Sequence, residues 1–165
     1  MIISGKKIIL ASFLFFLTVF QPLIITAEES ISIKNEAINP SSFYYPLKRL
    51  LEKGKEKFMF SNEAKKSFYE TLLKTRLAEL KFVVENKFLS EVQQSSERFA
   101  YQAGILTEEL VKQRRSEDKV KIIKDFEKYS KFLENLRDKY PANSPYWLLI
   151  QHDINSLKIL SERLK

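Results

Sequence analysis

The sequence predicts an all-α protein, and two observations carry that expectation. Glycine and proline are scarce, three and five in 165 residues, which is little punctuation for the many turns of a β protein. Apolar side chains recur at steps of three and four along stretches of roughly 20–25 residues, the spacing of one helix face. Cysteine is absent, so the core holds by packing alone. The architecture these imply is an antiparallel helical bundle of three long helices, with a shorter N-terminal helix and a C-terminal helix packed alongside.

The chain opens with a different kind of segment. Lys6 and Lys7 precede an apolar run, residues 8–20, in which only Ser12 and Thr18 are polar. Pro22 and a short tail to Ala27 follow, then Glu28 and Glu29. Positive flank, apolar run and small residue form the pattern of a secretory signal, with the cut expected after Ala27. Ile25 stands where alanine is common at such sites. Left uncleaved, residues 8–25 approach the length of a membrane anchor, provided that Gln21 and Pro22 are tolerated inside it. Either outcome places the body of the chain outside the cytoplasm, secreted or anchored, with Lys6 and Lys7 on the inner side. The lack of cysteine rules out lipid attachment at that residue. The expected organisation is therefore signal peptide 1–27, flexible linker 28–41 and helical domain 42–165. The net charge of +7 falls to +5 when the leader takes Lys6 and Lys7 with it. An excess that small suits an anionic membrane or wall polymer, and it is no nucleic-acid signature.

The first helix is expected at about 42–58. Ser42 is placed to cap it, and Pro46 falls in the first turn, where its missing amide costs no helical bond. Leu47, Leu50, Leu51 and Phe58 share one face, with Gly54 in the same row. Lys48, Arg49, Lys53, Lys55 and Lys57 take the other positions. The apolar stripe has the usual width of a surface helix, so the expectation is a helix docked on its neighbours with a solvated basic face. The competing reading is a basic amphipathic helix lying on an anionic membrane or cell-wall polymer, with those five cations as the contacts.

The second helix, about 62–86, is capped by Ser61 and lined by Tyr69, Leu73, Leu77, Leu80 and Val84, with Phe68 and Leu72 widening the stripe. The third, about 91–115 with Ser90 as cap, carries Val92, Ser96, Phe99, Ala103, Leu106 and Leu110 in a heptad-like seam. Gly104 sits beside it, where another helix could come close. Residues 113–119 are wholly polar and read as a tight connection, with Arg114 and Arg115 at the negative end of one helix and Glu117 and Asp118 at the positive start of the next. The fourth helix, about 117–140, presents Val120, Ile123, Phe126, Leu133, Leu136 and Tyr140. Pro141 to Pro145 break the chain. Ser144 caps the fifth helix, about 145–164, and Pro145 takes its first position. That helix is expected to bury Trp147, Ile150, Ile154, Leu157 and Leu164, leaving Tyr146 partly exposed.

Four stretches resemble a known family: residues 40–49 (Pro-Ser-Ser-Phe-Tyr-Tyr-Pro-Leu-Lys-Arg), 58–60, 61–65 (Ser-Asn-Glu-Ala-Lys) and 76–80 (Arg-Leu-Ala-Glu-Leu). They are similar to a bacterial extracytoplasmic family of domains of unknown function, family 5667. Its members open with a proline- and serine-containing turn, an aromatic and a Leu-Lys-Arg helix, and continue to an Arg-Leu-Ala-Glu-rich helix. Here Ser61-Asn62 replaces the family's Asp-Pro cap, and Phe43 stands where a second proline is common. The resemblance spans residue 40 to the C-terminus, with its specific part at 40–80. It implies an exported, mainly helical domain, in some members joined to a membrane anchor, and it implies no activity.

Catalytic and metal-binding patterns are thin. His152 is the single histidine; it sits beside the apolar seam of the last helix without a second histidine or cysteine as co-ligand and without a paired nucleophile. The carboxylate pairs Glu108-Glu109 and Glu117-Asp118 read as surface and helix-start charges. The three glycines are isolated and build no phosphate loop. Leu106-Thr107-Glu108-Glu109-Leu110 is close to the Leu-Thr-x-x-Gln signature of small helical periplasmic chaperones and stress sensors, but both leucines already fit the seam. The expectation is an exported non-enzymatic helical domain without cofactor or metal. It would act on a protein or envelope component, with peripheral binding of anionic membrane or wall polymer, or a chaperone-like role, as rivals.

Overall fold

A few side chains decide where each helix starts and stops. A computed structural model describes residues 33–113 and 116–165. Five helices occur among them: α1 (Tyr45–Lys57), α2 (Asn62–Glu85), α3 (Leu89–Gln113), α4 (Ser116–Arg137) and α5 (Pro145–Leu164). No strand occurs among the described residues, and no helix there is long and apolar enough to cross a membrane. The leader at 1–27, and Arg114 and Arg115, lie outside the described residues.

Ser61 and Ser144 start α2 and α5 as expected. Their hydroxyls accept the amides of Ala64 at 3.1 Å and Trp147 at 3.3 Å, each satisfying a donor that the first helical turn leaves free. Two other caps differ from expectation. Tyr44, not Ser42, precedes α1 and makes no side-chain cap; Ser42 instead accepts the Tyr44 amide one turn earlier. Ser90 lies inside α3, because the preceding turn hands the chain directly to Leu89. In that turn Lys87 adopts a left-handed φ of 56°. The Phe88 amide bonds the Val83 carbonyl and the Lys87 amide bonds the Val84 carbonyl, a Schellman closure of α2.

Ion pairs fix the helix directions. Lys66 meets Asp118, Lys121 meets Glu70 and Lys139 meets Glu85, so α2 and α4 run parallel. The Gln113 side chain at the end of α3 donates to the Asn62 carbonyl at the start of α2, so that pair is antiparallel. Arg137 at the end of α4 reaches Gln151 near the start of α5, a second antiparallel pair. The extended packing pairs are α2 with α3, α4 with α5, and α3 with α5, with a slighter approach of α2 to α4. The bundle is thus two antiparallel hairpins laid together. The short link from α3 to α4 was expected to make those two helices neighbours; instead the chain passes from one hairpin to the other, and α5 takes the place beside α3.

The core follows the expected seams closely in α3, where Val92, Phe99, Ala103, Leu106 and Leu110 are all fully buried. Burial of Leu106 and Leu110 bears out the seam reading of that stretch. Gly104 departs from expectation: a Cβ there would meet nothing within 4 Å, so no helix crosses close to it. In α4 the buried row is Ile122, Phe126, Tyr129, Leu133 and Leu136, and Val120 is exposed. In α5 the seam is turned by about one residue. Ile150, Asp153, Leu157 and Leu164 are buried, whereas Ile154 is half-buried and Trp147 lies against the Arg137 guanidinium, 5.0 Å from its ring centre. A cation over an indole face tolerates partial exposure, which is why Trp147 needs no place in the core.

Candidate functional site

α2 carries two charges where its neighbours are leucines. Arg76 and Glu79 stand among Leu73, Leu77, Ala78 and Leu80, and each is only 1 % exposed. Charges that deep must be paired, because an isolated buried ion costs several kcal/mol. The Arg76 guanidinium donates to Glu79 at 2.6 Å and also to Glu52 of α1. Glu79 accepts two further donors from α1, the Tyr45 hydroxyl at 2.8 Å and Lys48 Nζ at 2.9 Å. Lys48 also reaches Glu36 and the Ile38 carbonyl, both at 3.1 Å, and Glu36 accepts from Thr75. On the α3 side, Arg98 lies over the Tyr45 ring at 5.0 Å and donates to its hydroxyl at 3.2 Å. Burial and the Glu79 charge push the Tyr45 phenol well above its ordinary range. Burial alone would lower the Arg76 guanidinium, but the Glu79 and Glu52 carboxylates outweigh it and raise it.

This network determines how α1 sits. Tyr45, Lys48, Glu52 and Glu56 recur at steps of three and four and share one face, and that face turns inward. Glu56 closes the row by accepting the Tyr69 hydroxyl at 2.8 Å; burial and this bond push Tyr69 up to about 12. The apolar face therefore points away from the bundle. The expectation that Leu47, Leu50, Leu51 and Phe58 would dock on the neighbouring helices is corrected here: the face was identified, and its direction is reversed. Together with Phe43 and Phe60 these side chains are between 54 % and 91 % exposed. The physical reason is pairing. Leucines laid over Arg76 and Glu79 would leave both charges without partners beyond each other.

The five cations proposed as surface contacts are divided by the same geometry. Lys48 is committed inward to two carboxylates, and Arg49 is half-buried and paired with Glu52 at 3.0 Å. Lys53, Lys55 and Lys57 remain exposed. At about 100° per residue, Lys53 and Lys57 flank the apolar arc on one side and Lys55 on the other. Residues 33–41, expected as a free spacer, lie against α2: Lys81 donates to the Ile33 carbonyl at 3.1 Å, and Ile33 packs on the core.

Two clefts border α1. One, of about 430 Å³, is largely apolar at its walls, with Leu47 and Leu51 facing Phe68 and Leu72 of α2. The other, of about 360 Å³, is of mixed polarity and lies towards α3 between Arg49, Lys53, Tyr69, Arg98 and Tyr101. His152 faces solvent, as expected from its position beside the seam. Among the described residues no group of three histidine, cysteine, aspartate or glutamate side chains is arranged to hold a metal.

Residue-by-residue reading missed Arg76, Glu79, Tyr45, Glu52 and Glu36 as a unit. A signal was available: two opposite charges at i and i+3 inside an apolar run ask for partners from elsewhere. Tyr45, Lys48, Arg76 and Glu79 also lie in the stretches that carry the family resemblance, and the network gives those stretches a common physical task. Neither a curated protein nor a solved structure gives a significant match to the chain. A family model, the domain of unknown function DUF5667, matches residues 37–143, and the chain belongs to that family.

Proposed function

We propose that this family member is an exported, non-enzymatic helical domain that works by contact with an envelope component, using the outward face of α1. The supporting observation is the seating of α1, which spends its polar side on the bundle and leaves a contiguous apolar arc in solvent. Apolar patches of that kind mark interaction surfaces. The leader pattern at residues 1–27 supports export. The isolation of His152 and the engagement of the buried α1–α2 carboxylates in ion pairs favour contact over catalysis.

Crosslinking in the native envelope tests the reading. The wild-type chain should yield adducts that are lost when Leu47, Leu50 and Leu51 are changed to serine, with helicity unchanged by circular dichroism. Identical adducts from both would remove α1 from the contact, and finding the intact chain free in the cytosol would defeat export. A second reading has one observation in its favour. The apolar cleft between α1 and α2 is the kind of concavity a chaperone-like protein needs, and failure to suppress aggregation of an unfolded client would dismiss it.

A further inference from the structure

We infer that the surface met by α1 is an anionic lipid bilayer, an inference that rests on the contact reading above and names its partner. Three features of α1 converge on that chemistry. Leu47, Leu50, Leu51 and Phe58 lie within an arc of about 100°, the width of an interfacial helix face. All four members are more than half exposed, although Leu47 and Leu51 also line the cleft towards α2, and exposed Phe43 and Phe60 stand just beyond the two ends of the arc, so it can enter a headgroup layer. The charges at its edges are all of one sign. Lys53, Lys55 and Lys57 flank it, their long stems able to lie along the apolar boundary while the ammonium groups reach lipid phosphates. The carboxylates of α1 are turned away: Glu52 is held by Arg76 and Arg49, and Glu56 accepts the Tyr69 hydroxyl.

Charge sorting of this kind is what separates a lipid surface from a protein groove of mixed polarity. Lys48 and Arg49, basic in sequence, take no part, because both are tied to carboxylates. In sequence α1 is also the helix nearest to the apolar run at 8–20. The four remaining helices then stand off the bilayer with α2 directly behind α1, joined to it by the Arg76–Glu79 network.

The chain has no cysteine, so single reporters can be introduced without background. The full chain carrying Leu50→Cys, labelled with a polarity-sensitive fluorophore, is mixed with vesicles of phosphatidylcholine alone or of phosphatidylcholine with phosphatidylglycerol. Lys158→Cys, on the exposed side of α5, serves as the reference position. The probe at 50 should move to an apolar environment on the anionic vesicles and the probe at 158 should not. Each lysine near such a surface contributes about fivefold, so Lys53→Gln, Lys55→Gln and Lys57→Gln together should weaken the response on the order of 100-fold. Rising salt should weaken it as well. A probe at 50 that stays in water on bound vesicles, or that responds equally to neutral vesicles and to the lysine variant, overturns the inference. If that probe is nevertheless shielded in whole envelope preparations, the contact reading survives with a protein as partner. If it is shielded in neither, both readings fall.

Discussion

The carboxyl of Asp153 gives the bundle a pH dependence that can be worked out from its surroundings. It is completely buried on α5, in the seam between Ile150 and Leu157. Burial raises its pKa from 3.8 to about 8. Ser96 of α3 pulls in the opposite direction, but neither carboxyl oxygen has a well-formed hydrogen bond and desolvation dominates. The folded protein therefore keeps this proton over a range in which the unfolded chain has released it. The stabilisation from that retained proton is complete below pH 3.8, is lost progressively as pH rises, and is gone above about 8. Each unit of the difference corresponds to about 1.4 kcal/mol, so by pH 7, some three units above 3.8, the loss is ~4 kcal/mol. That is a large part of the stability of an ordinary domain. Urea unfolding followed by circular dichroism, repeated across the mildly acidic to neutral range, measures the slope for the wild type and for Asp153→Asn. The wild type should lose about 1.4 kcal/mol per pH unit through that interval relative to the variant. The comparison holds whether or not the asparagine amide fits well, because the slope, not the absolute stability, is read. Equal slopes in the two proteins would refute the reasoning.

Other consequences follow from single side chains. Glu79→Gln leaves Arg76 buried with a weakened partner; a loss of about 3–5 kcal/mol is expected on breaking such a pair, with α1 becoming the first site of proteolytic cleavage. An unchanged cleavage pattern would mean that the network does not hold α1. Lys87→Gly should stabilise by roughly 0.5–1 kcal/mol in denaturant unfolding, because a left-handed φ of 56° strains any residue with a Cβ. Ser61→Ala and Ser144→Ala should each cost about 1 kcal/mol through loss of a helix cap, read as a lower thermal midpoint. Leu50→Ser, on the exposed arc, should alter stability by less than about 0.5 kcal/mol in the same assay, which separates surface from core.

Local chemistry was enough for much of this architecture. The scarcity of breakers, Ser61, Ser144 and Pro145 placed the helices, and the spacing of Val92, Phe99, Leu106 and Leu110 placed the α3 face that enters the core. Those features depend on neighbours within a turn or two, so a linear chain displays them. It also displayed which side of α1 is apolar. What it could not display was the direction in which that side points, because the answer lies some thirty residues away at Arg76 and Glu79. Which of the five basic residues stay free was decided in the same place. Asp153 shows the same limit at smaller scale, since a turn of about one residue in the α5 seam put a carboxyl where Ile154 was expected. Periodicity along a chain identifies faces; which face is buried depends on what the opposing element must pair or cover, and that is settled only when the helices meet.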